Sequence, residues 1–130
     1  MEKLDYLIKY LLNENKNIKI TEMPYDEISK KNLYRSLCNI RDPLPISEEY
    51  IQLENEYLQE ELKKKNITSI ENIKTINEVF PQTNLKHKNK ICLWKGDITT
   101  LKIEAIVNAA NSQGLGCFLA LHNCIDNQVN

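Results

Sequence analysis

The sequence has 130 residues, a formal net charge of −1, 42% hydrophobic residues and 27% charged residues. This length fits one domain, and the composition is that of a globular protein. The small net charge gives no general attraction to nucleic acid or to a membrane surface, and no apolar run reaches the roughly 18 residues that span a bilayer. The N-terminus lacks an apolar signal region, and the four cysteines are too scattered for a disulfide framework. We therefore expect a cytoplasmic protein with no nucleic-acid or membrane partner.

Three helices are predicted in the front part of the chain. Apolar residues recur at helical spacing over residues 1–13 and leave the other face charged. Packing against a core is the simplest role for this helix, and docking on a partner or a membrane surface is the alternative. Asp26 is suited to cap a second helix, which two closely spaced prolines end. Ser47 is suited to cap a third helix that runs to about Lys65, and Cys38 of the second helix is expected to be a small buried hydrophobe.

The middle of the chain separates two predicted regions. Over residues 66–81, isoleucines recur every three residues, which is compatible with a loose helix or with an extended edge. A turn and a basic segment follow over residues 81–90, where His87 lies among lysines and is expected at the surface. We place the boundary here, with a helical N-terminal region over residues 1–85 and a second region over residues 86–130.

Polar side chains follow two short apolar runs in the second region. Ile91–Trp94 and Ala105–Val107 are predicted to be buried strands. Asp97 comes after the first run, and Asn108 and Asn111 come after the second. Ligands of open α/β sheets bind outside the carboxyl ends of the strands, so these three side chains are candidates for a ligand site. The alternative is that Asp97 caps the next turn and that the asparagines serve turns.

Three metal-binding side chains follow within eight residues: Cys117, His122 and Cys124. A closed structural zinc site normally has four protein ligands, whereas three ligands with an open position are typical of a catalytic or substrate-binding zinc. Cys92 is a possible fourth ligand, although its place in a predicted strand favours the core. The spacing alone leaves two interpretations open, a metal site or a histidine and two thiols at a loop. Asp126, near the start of a last helix, is either a general base or a helix cap.

Two further strings carry a family resemblance. GDIT at residues 96–99 and AIVNAANS at residues 105–112 resemble the opening of a macrodomain, the module that binds ADP-ribose. GCFLALHNCIDN at residues 116–127 resembles the zinc-containing macrodomains that remove ADP-ribose from modified proteins, which also begin with a helical extension. The resemblance implies an α/β fold: an N-terminal helical region followed by the first part of a three-layer α/β/α macrodomain. Because that family's domain continues much further, we expect a truncated chain that lacks part of the cleft.

The resemblance also implies roles for single residues. Asp97 and the backbone of Ile98 would hold the adenine, and Asn108 and Asn111 would line the distal ribose. The Cys-His-Cys set would bind zinc beside that ribose. Asp126 would take part in catalysis together with Asn111, as the bond at C1″ of the ribose breaks. The implied cofactor is therefore zinc, and the implied partner is ADP-ribose or an ADP-ribosylated protein.

Two positions depart from the family pattern: Ala120 replaces a proline, and Asn130 replaces a histidine. Two other functions remain open. In the first, the chain is a non-catalytic ADP-ribose-binding module or an inactive fragment. In the second, it is a small structural metal-binding or interaction protein. Replacing Asp126 would abolish turnover in a hydrolase but leave ligand binding by a non-catalytic module nearly intact.

Overall fold

The computed structural model describes residues 2–114 and 116–129, without the side chain of Val129, so Asn130 lies outside the described residues. The described elements are five α-helices, two 3₁₀ turns and two short strands. In chain order they are α1 (Glu2–Glu14), α2 (Glu27–Asn39), α3 (Glu48–Lys63), β1 (Thr68–Ser69), a 3₁₀ turn (Ile70–Asn72), α4 (Ile76–Val79), a 3₁₀ turn (Ile98–Thr100), β2 (Leu101–Lys102) and α5 (Ile125–Val129). Within the described ranges, none of the helices combines the length and apolar character needed to cross a bilayer.

These elements belong to two compact units. The first comprises Met1–Glu61 with Val107–Asn130, and the second comprises Leu62–Ile106. The mixture of helices with a two-stranded sheet is compatible with an α/β class. The division of the chain into regions 1–85 and 86–130 stays a prediction.

The core of the first unit is helical. The three predicted helices are confirmed: Asp26 Oδ1 accepts the Ser29 amide at 2.8 Å at the start of α2, and Ser47 Oγ accepts the Tyr50 amide at 3.2 Å at the start of α3. The helix over residues 1–13 packs against the core, as its apolar stripe predicts, because burial of that stripe removes apolar surface from water. The buried core side chains are Leu4, Leu7, Ile8, Leu11, Tyr34, Leu37, Tyr50 and Tyr57.

A planar ion pair connects the end of α1 to the segment after α2. Arg41 Nε donates to Glu14 Oε2 at 2.7 Å, and Arg41 Nη2 donates to Glu14 Oε1 at 2.8 Å. The same Nη2 also donates to the Leu44 carbonyl at 3.0 Å. A two-pronged contact of this kind fixes the direction as well as the distance of the guanidinium group. It therefore anchors the backbone that leaves α2.

The second unit holds the small sheet. β1 and β2 pair in parallel, with Thr68 opposite Leu101. The stretch 66–81, which is compatible with either a helix or an extended edge, contains both: β1, the first 3₁₀ turn and α4. A capping box begins α4, because Thr75 Oγ1 accepts the Glu78 amide at 3.3 Å and Glu78 Oε2 accepts the Thr75 amide at 2.7 Å.

The two predicted buried strands are wrong. Ile91–Trp94 makes a single antiparallel bridge, between Cys92 and Thr75, and its Leu93 side chain is 74% exposed. Ala105–Val107 belongs to no strand, and Val107 is 92% exposed. A strand needs neighbouring strands to satisfy its backbone and cover its apolar side chains, and the described residues supply none for these runs. The polar residues that follow these runs, Asp97, Asn108 and Asn111, therefore do not lie at the ends of strands.

Candidate metal centre and its surroundings

The loop before α5 brings the three predicted metal ligands together. One ligand atom from each of Cys117, His122 and Cys124 lies within 4.8 Å of the other two, and Cys117 Sγ is 3.1 Å from His122 Nδ1. Tetrahedral zinc with two sulfur ligands and one nitrogen ligand would hold these atoms roughly 3.5–3.8 Å apart. Small rotations of the side chains would bring the observed distances into that range, so the residues fit a zinc ion. Among the described residues the cluster has three members, so a tetrahedral ion held there would keep one position open for water or substrate.

The backbone of this loop is unusual. Phe118 has a φ of 52° and Leu121 has a φ of 56°, both in the left-handed region that residues other than glycine rarely adopt. The His122 amide donates to the Leu119 carbonyl at 3.1 Å, which closes the turn between them. Because the left-handed conformation is unfavourable for these residues, the surrounding structure must stabilise it.

Two buried asparagines contact the loop backbone from two helices. Asn39, the last residue of α2, accepts the Leu121 amide on Oδ1 at 3.1 Å. Asn127 of α5 donates from Nδ2 to the carbonyls of Leu119 at 3.0 Å and His122 at 3.1 Å. The two asparagines are 8% and 4% exposed. Neither contact is predicted from the sequence. Asn127 lies inside the family-like string, whereas Asn39 has no local signal because its partner is 82 residues away.

Asp126 and Asn108 contact each other in the first unit. Asn108 Nδ2 donates to Asp126 Oδ1 at 3.0 Å, and Asp126 is 6% exposed in the first turn of α5. The Oδ1 atom of Asn108 is also buried and finds no hydrogen-bond donor among the described residues. The structure therefore brings together two of the predicted site residues, and their catalytic and ribose-binding roles remain predictions.

Asn111 organises the glycine-containing segment before the metal ligands. Its Nδ2 donates to the Gly116 carbonyl, and its Oδ1 accepts the Gln113 amide at 3.0 Å. Gly114 and Gly116 have φ values of 67° and 75°, which glycine adopts without a steric penalty. These contacts show that Asn111 forms a turn, which is one of its two predicted roles. Its predicted role at the ribose is not tested by them.

A cleft of about 280 Å³ opens next to this segment within the first unit. Its lining includes Asn39 and the residues from Arg41 to Pro43, together with Gly114, Gly116 and Cys117. Its volume is close to the lower limit of about 300 Å³ for small-molecule sites. A candidate metal ligand therefore borders a cavity that could admit part of a ligand.

The surroundings of the Cys117 thiol change its acidity. Burial raises the pKa of Cys117, the backbone hydrogen bond with Leu119 opposes this change, and the hydrogen bond with Cys124 and the charge of Asp126 add to it. Asp126 is thus close enough to the metal-ligand loop to interact with it electrostatically. Since zinc binds the thiolate, metal binding at this loop would release protons.

Asp97 and Ile98 belong to the second unit. Asp97 caps the 3₁₀ turn: its Oδ1 accepts the Thr99 amide at 3.0 Å and the Thr99 hydroxyl at 2.7 Å. Its Oδ2 accepts Lys65 Nζ at 3.1 Å. The hydrogen bond from Thr99, followed by that from Lys65, lowers the pKa of Asp97. The capping role is therefore observed, and the adenine role stays a prediction.

His87 and Cys92 both lie outside the candidate metal centre. His87 is exposed, as predicted. Cys92 is half-buried and its thiol contacts the Ile73 carbonyl at 3.8 Å, and the metal-ligand group found among the described residues does not include it.

The chain is similar along nearly its whole length to proteins named protein-ADP-ribose hydrolase. It is 41% identical over 128 residues to the protein of that name from Treponema medium, and 39% identical over 127 residues to the one from Staphylococcus aureus strain MRSA252. Each match covers 98% of this chain, but 46% and 44% of the two relatives. The chain therefore spans about half the length of these curated relatives. No family model matches it.

A third relative has a broader name. The probable bifunctional ADP-ribose hydrolase/ADP-ribosyltransferase of Fusarium oxysporum f. sp. cubense is 41% identical over 107 residues, which cover 78% of this chain and 17% of that protein. The first two relatives match both the helical front part and the metal-ligand loop, because each alignment covers 98% of this chain.

Proposed function

We propose that this chain acts in the zinc-dependent removal of ADP-ribose from modified proteins, on the framework of a zinc-containing macrodomain with its three-layer fold. The observation that carries this proposal is the convergence of Cys117, His122 and Cys124, with a buried carboxylate, Asp126, two residues further along. The similarity to proteins named protein-ADP-ribose hydrolase supports the same activity.

The metal ligands of this site would be the thiolates of Cys117 and Cys124 and the imidazole Nδ1 of His122. Zinc held there would supply a Lewis acid that polarises a ribose oxygen or a water. Three protein ligands leave room for such a molecule, which is why we favour a functional rather than a purely structural metal. The hydrogen bonds from Asn39 of α2 and Asn127 of α5 would hold the ligand loop in place at one side of the site.

The proton transfer is assigned to Asp126. In hydrolysis, a water oxygen bonds to C1″ of the ribose, and the bond from C1″ to the modified side chain breaks. The Asp126 carboxylate would accept the proton that the water loses, and the leaving side chain takes up a proton. Asn108 would hold the carboxylate in place through the 3.0 Å hydrogen bond. Asn111 would shape the glycine-containing segment beside the ribose, and Asp97 with Ile98 would contact the adenine.

Release of ADP-ribose from a mono-ADP-ribosylated protein, followed by mass spectrometry, tests this proposal. Zinc-loaded chain should release ADP-ribose, and Asp126→Asn should slow release by at least the roughly hundredfold that general-base catalysis contributes. Glu104→Gln makes the same acid-to-amide change at an exposed position and should leave the rate unchanged. If Asp126→Asn releases ADP-ribose at the rate of the unchanged chain, the catalytic assignment is wrong. Binding of ADP-ribose without any release would identify a non-catalytic binding module instead.

A further inference from the structure

Asn39, in the N-terminal helical region, contacts the metal-ligand loop. It is the last residue of α2, it is 8% exposed, and its side-chain carbonyl accepts the Leu121 amide at 3.1 Å. The two residues are 82 positions apart in the sequence. The contact is therefore a tertiary one, and it attaches the loop to the end of a packed helix.

The position of this hydrogen bond matters as much as its strength. Leu121 directly precedes the ligand His122 and has a φ of 56°. Rotation of Leu121 to an ordinary negative φ would turn the following peptide and carry the imidazole away from Cys117. The side-chain carbonyl of Asn39 binds the Leu121 N–H, and the φ angle of Leu121 determines where the His122 imidazole lies.

The end of α2 is itself held in place. The Arg41–Glu14 ion pair, with contacts at 2.7 and 2.8 Å, secures the backbone two residues beyond Asn39. On the other side of the loop, Asn127 binds the carbonyls of Leu119 and His122. The loop backbone is therefore hydrogen-bonded to one amide side chain from α2 and to one from α5.

We propose that Asn39 is a positioning residue for the metal centre, which holds His122 in its ligand orientation through the Leu121 amide. This inference rests on the proposed zinc site and assigns it a dependence on the N-terminal helices. Residues that orient metal ligands typically change metal affinity by about 10–100-fold when they are replaced. Asn39 should fall in this range.

The test is zinc affinity, measured by competition with a chromophoric chelator on the full chain. Asn39→Leu keeps the approximate size but removes the acceptor, and should weaken zinc binding about tenfold or more. Asn39→Asp retains an acceptor oxygen and should restore most of the affinity. Asn32→Leu makes the same chemical change at an exposed position of α2 and should bind zinc like the unchanged chain. If the leucine variant at position 39 loses its helical circular dichroism, Asn39→Ala, which adds no bulk, takes its place.

Cobalt substitution provides a readout that a loss of stability alone would not change. The visible absorption of bound Co²⁺ reports the number and arrangement of its ligands. We expect a weaker, shifted spectrum for Asn39→Leu at full occupancy, and the original spectrum for Asn39→Asp. Equal zinc affinity and identical cobalt spectra in the leucine variant and the unchanged chain would overturn the positioning role while the metal site stands. Failure of the unchanged chain to bind either metal would overturn both the proposed zinc site and this inference.

Discussion

Removal of the Arg41 guanidinium tests whether the segment after α2 is anchored as the structure indicates. The pair with Glu14 is only partly exposed, 20% for the arginine side chain and 16% for the glutamate. Exposed ion pairs contribute about 0.2–1 kcal/mol, and breaking a buried pair costs about 3–5 kcal/mol. The geometry lies between these limits, so we expect Arg41→Met to lower the free energy of unfolding by about 2 kcal/mol.

Urea denaturation followed by circular dichroism measures this change. With a denaturant dependence of about 2 kcal/mol per molar urea, the midpoint should fall by about 1 M. Arg41→Lys keeps the charge but cannot make both contacts, so it should recover only part of the loss. Lys3→Met removes a more exposed cation, whose side chain is 33% exposed and whose Nζ lies 2.8 Å from Glu56 Oε2, and it should lower the midpoint much less than Arg41→Met does. A change below about 0.5 kcal/mol for Arg41→Met would refute the reasoning.

Three further predictions concern other parts of the chain. A Cβ on Gly96 would lie 2.4 Å from the ring of Trp94, the only tryptophan, so Gly96→Ala should shift the intrinsic fluorescence spectrum; an unchanged spectrum would contradict this packing. Burial raises the pKa of Cys38 to about 11, above the roughly 8.5 of a free thiol. This cysteine should therefore resist iodoacetamide at pH 8 until the protein unfolds. Its contribution to stability should be lost as pH rises from about 9 to 11. Thr99 and Lys65 lower the pKa of Asp97, so its contribution to stability is present above about pH 4 and is lost on further acidification. Asp97→Asn should reduce this acid-induced loss of stability. The difference between the melting temperatures at pH 6 and pH 3 should therefore be smaller in the variant.

Local signals in the sequence predicted the helices well. The apolar stripe of α1, the cap at Asp26 and the cap at Ser47 are all decided by neighbouring residues, and the structure contains each of them. The interpretation of Ile91–Trp94 and Ala105–Val107 as buried strands failed because burial of an extended segment depends on strands elsewhere in the chain.

The candidate metal site could be predicted only in part. Cys117, His122 and Cys124 are close in sequence, so their spacing alone indicates their proximity, and the structure confirms it. The contact from Asn39 could not be predicted, because it depends on how α2 packs and not on any local pattern. The pairing of Asn108 with Asp126 likewise follows from the tertiary structure of the first unit.

Calorimetric titration of ADP-ribose into the chain, with and without bound zinc, tests the central claim most directly. If the metal centre forms part of the ADP-ribose site, zinc must increase the affinity for ADP-ribose, and ADP-ribose must increase the affinity for zinc by the same factor. We predict this reciprocal increase, its loss in His122→Ala, and its retention in His87→Ala, which removes the chain's other histidine from an exposed position. Equal ADP-ribose affinity with and without zinc, or no binding in either state, would contradict the account.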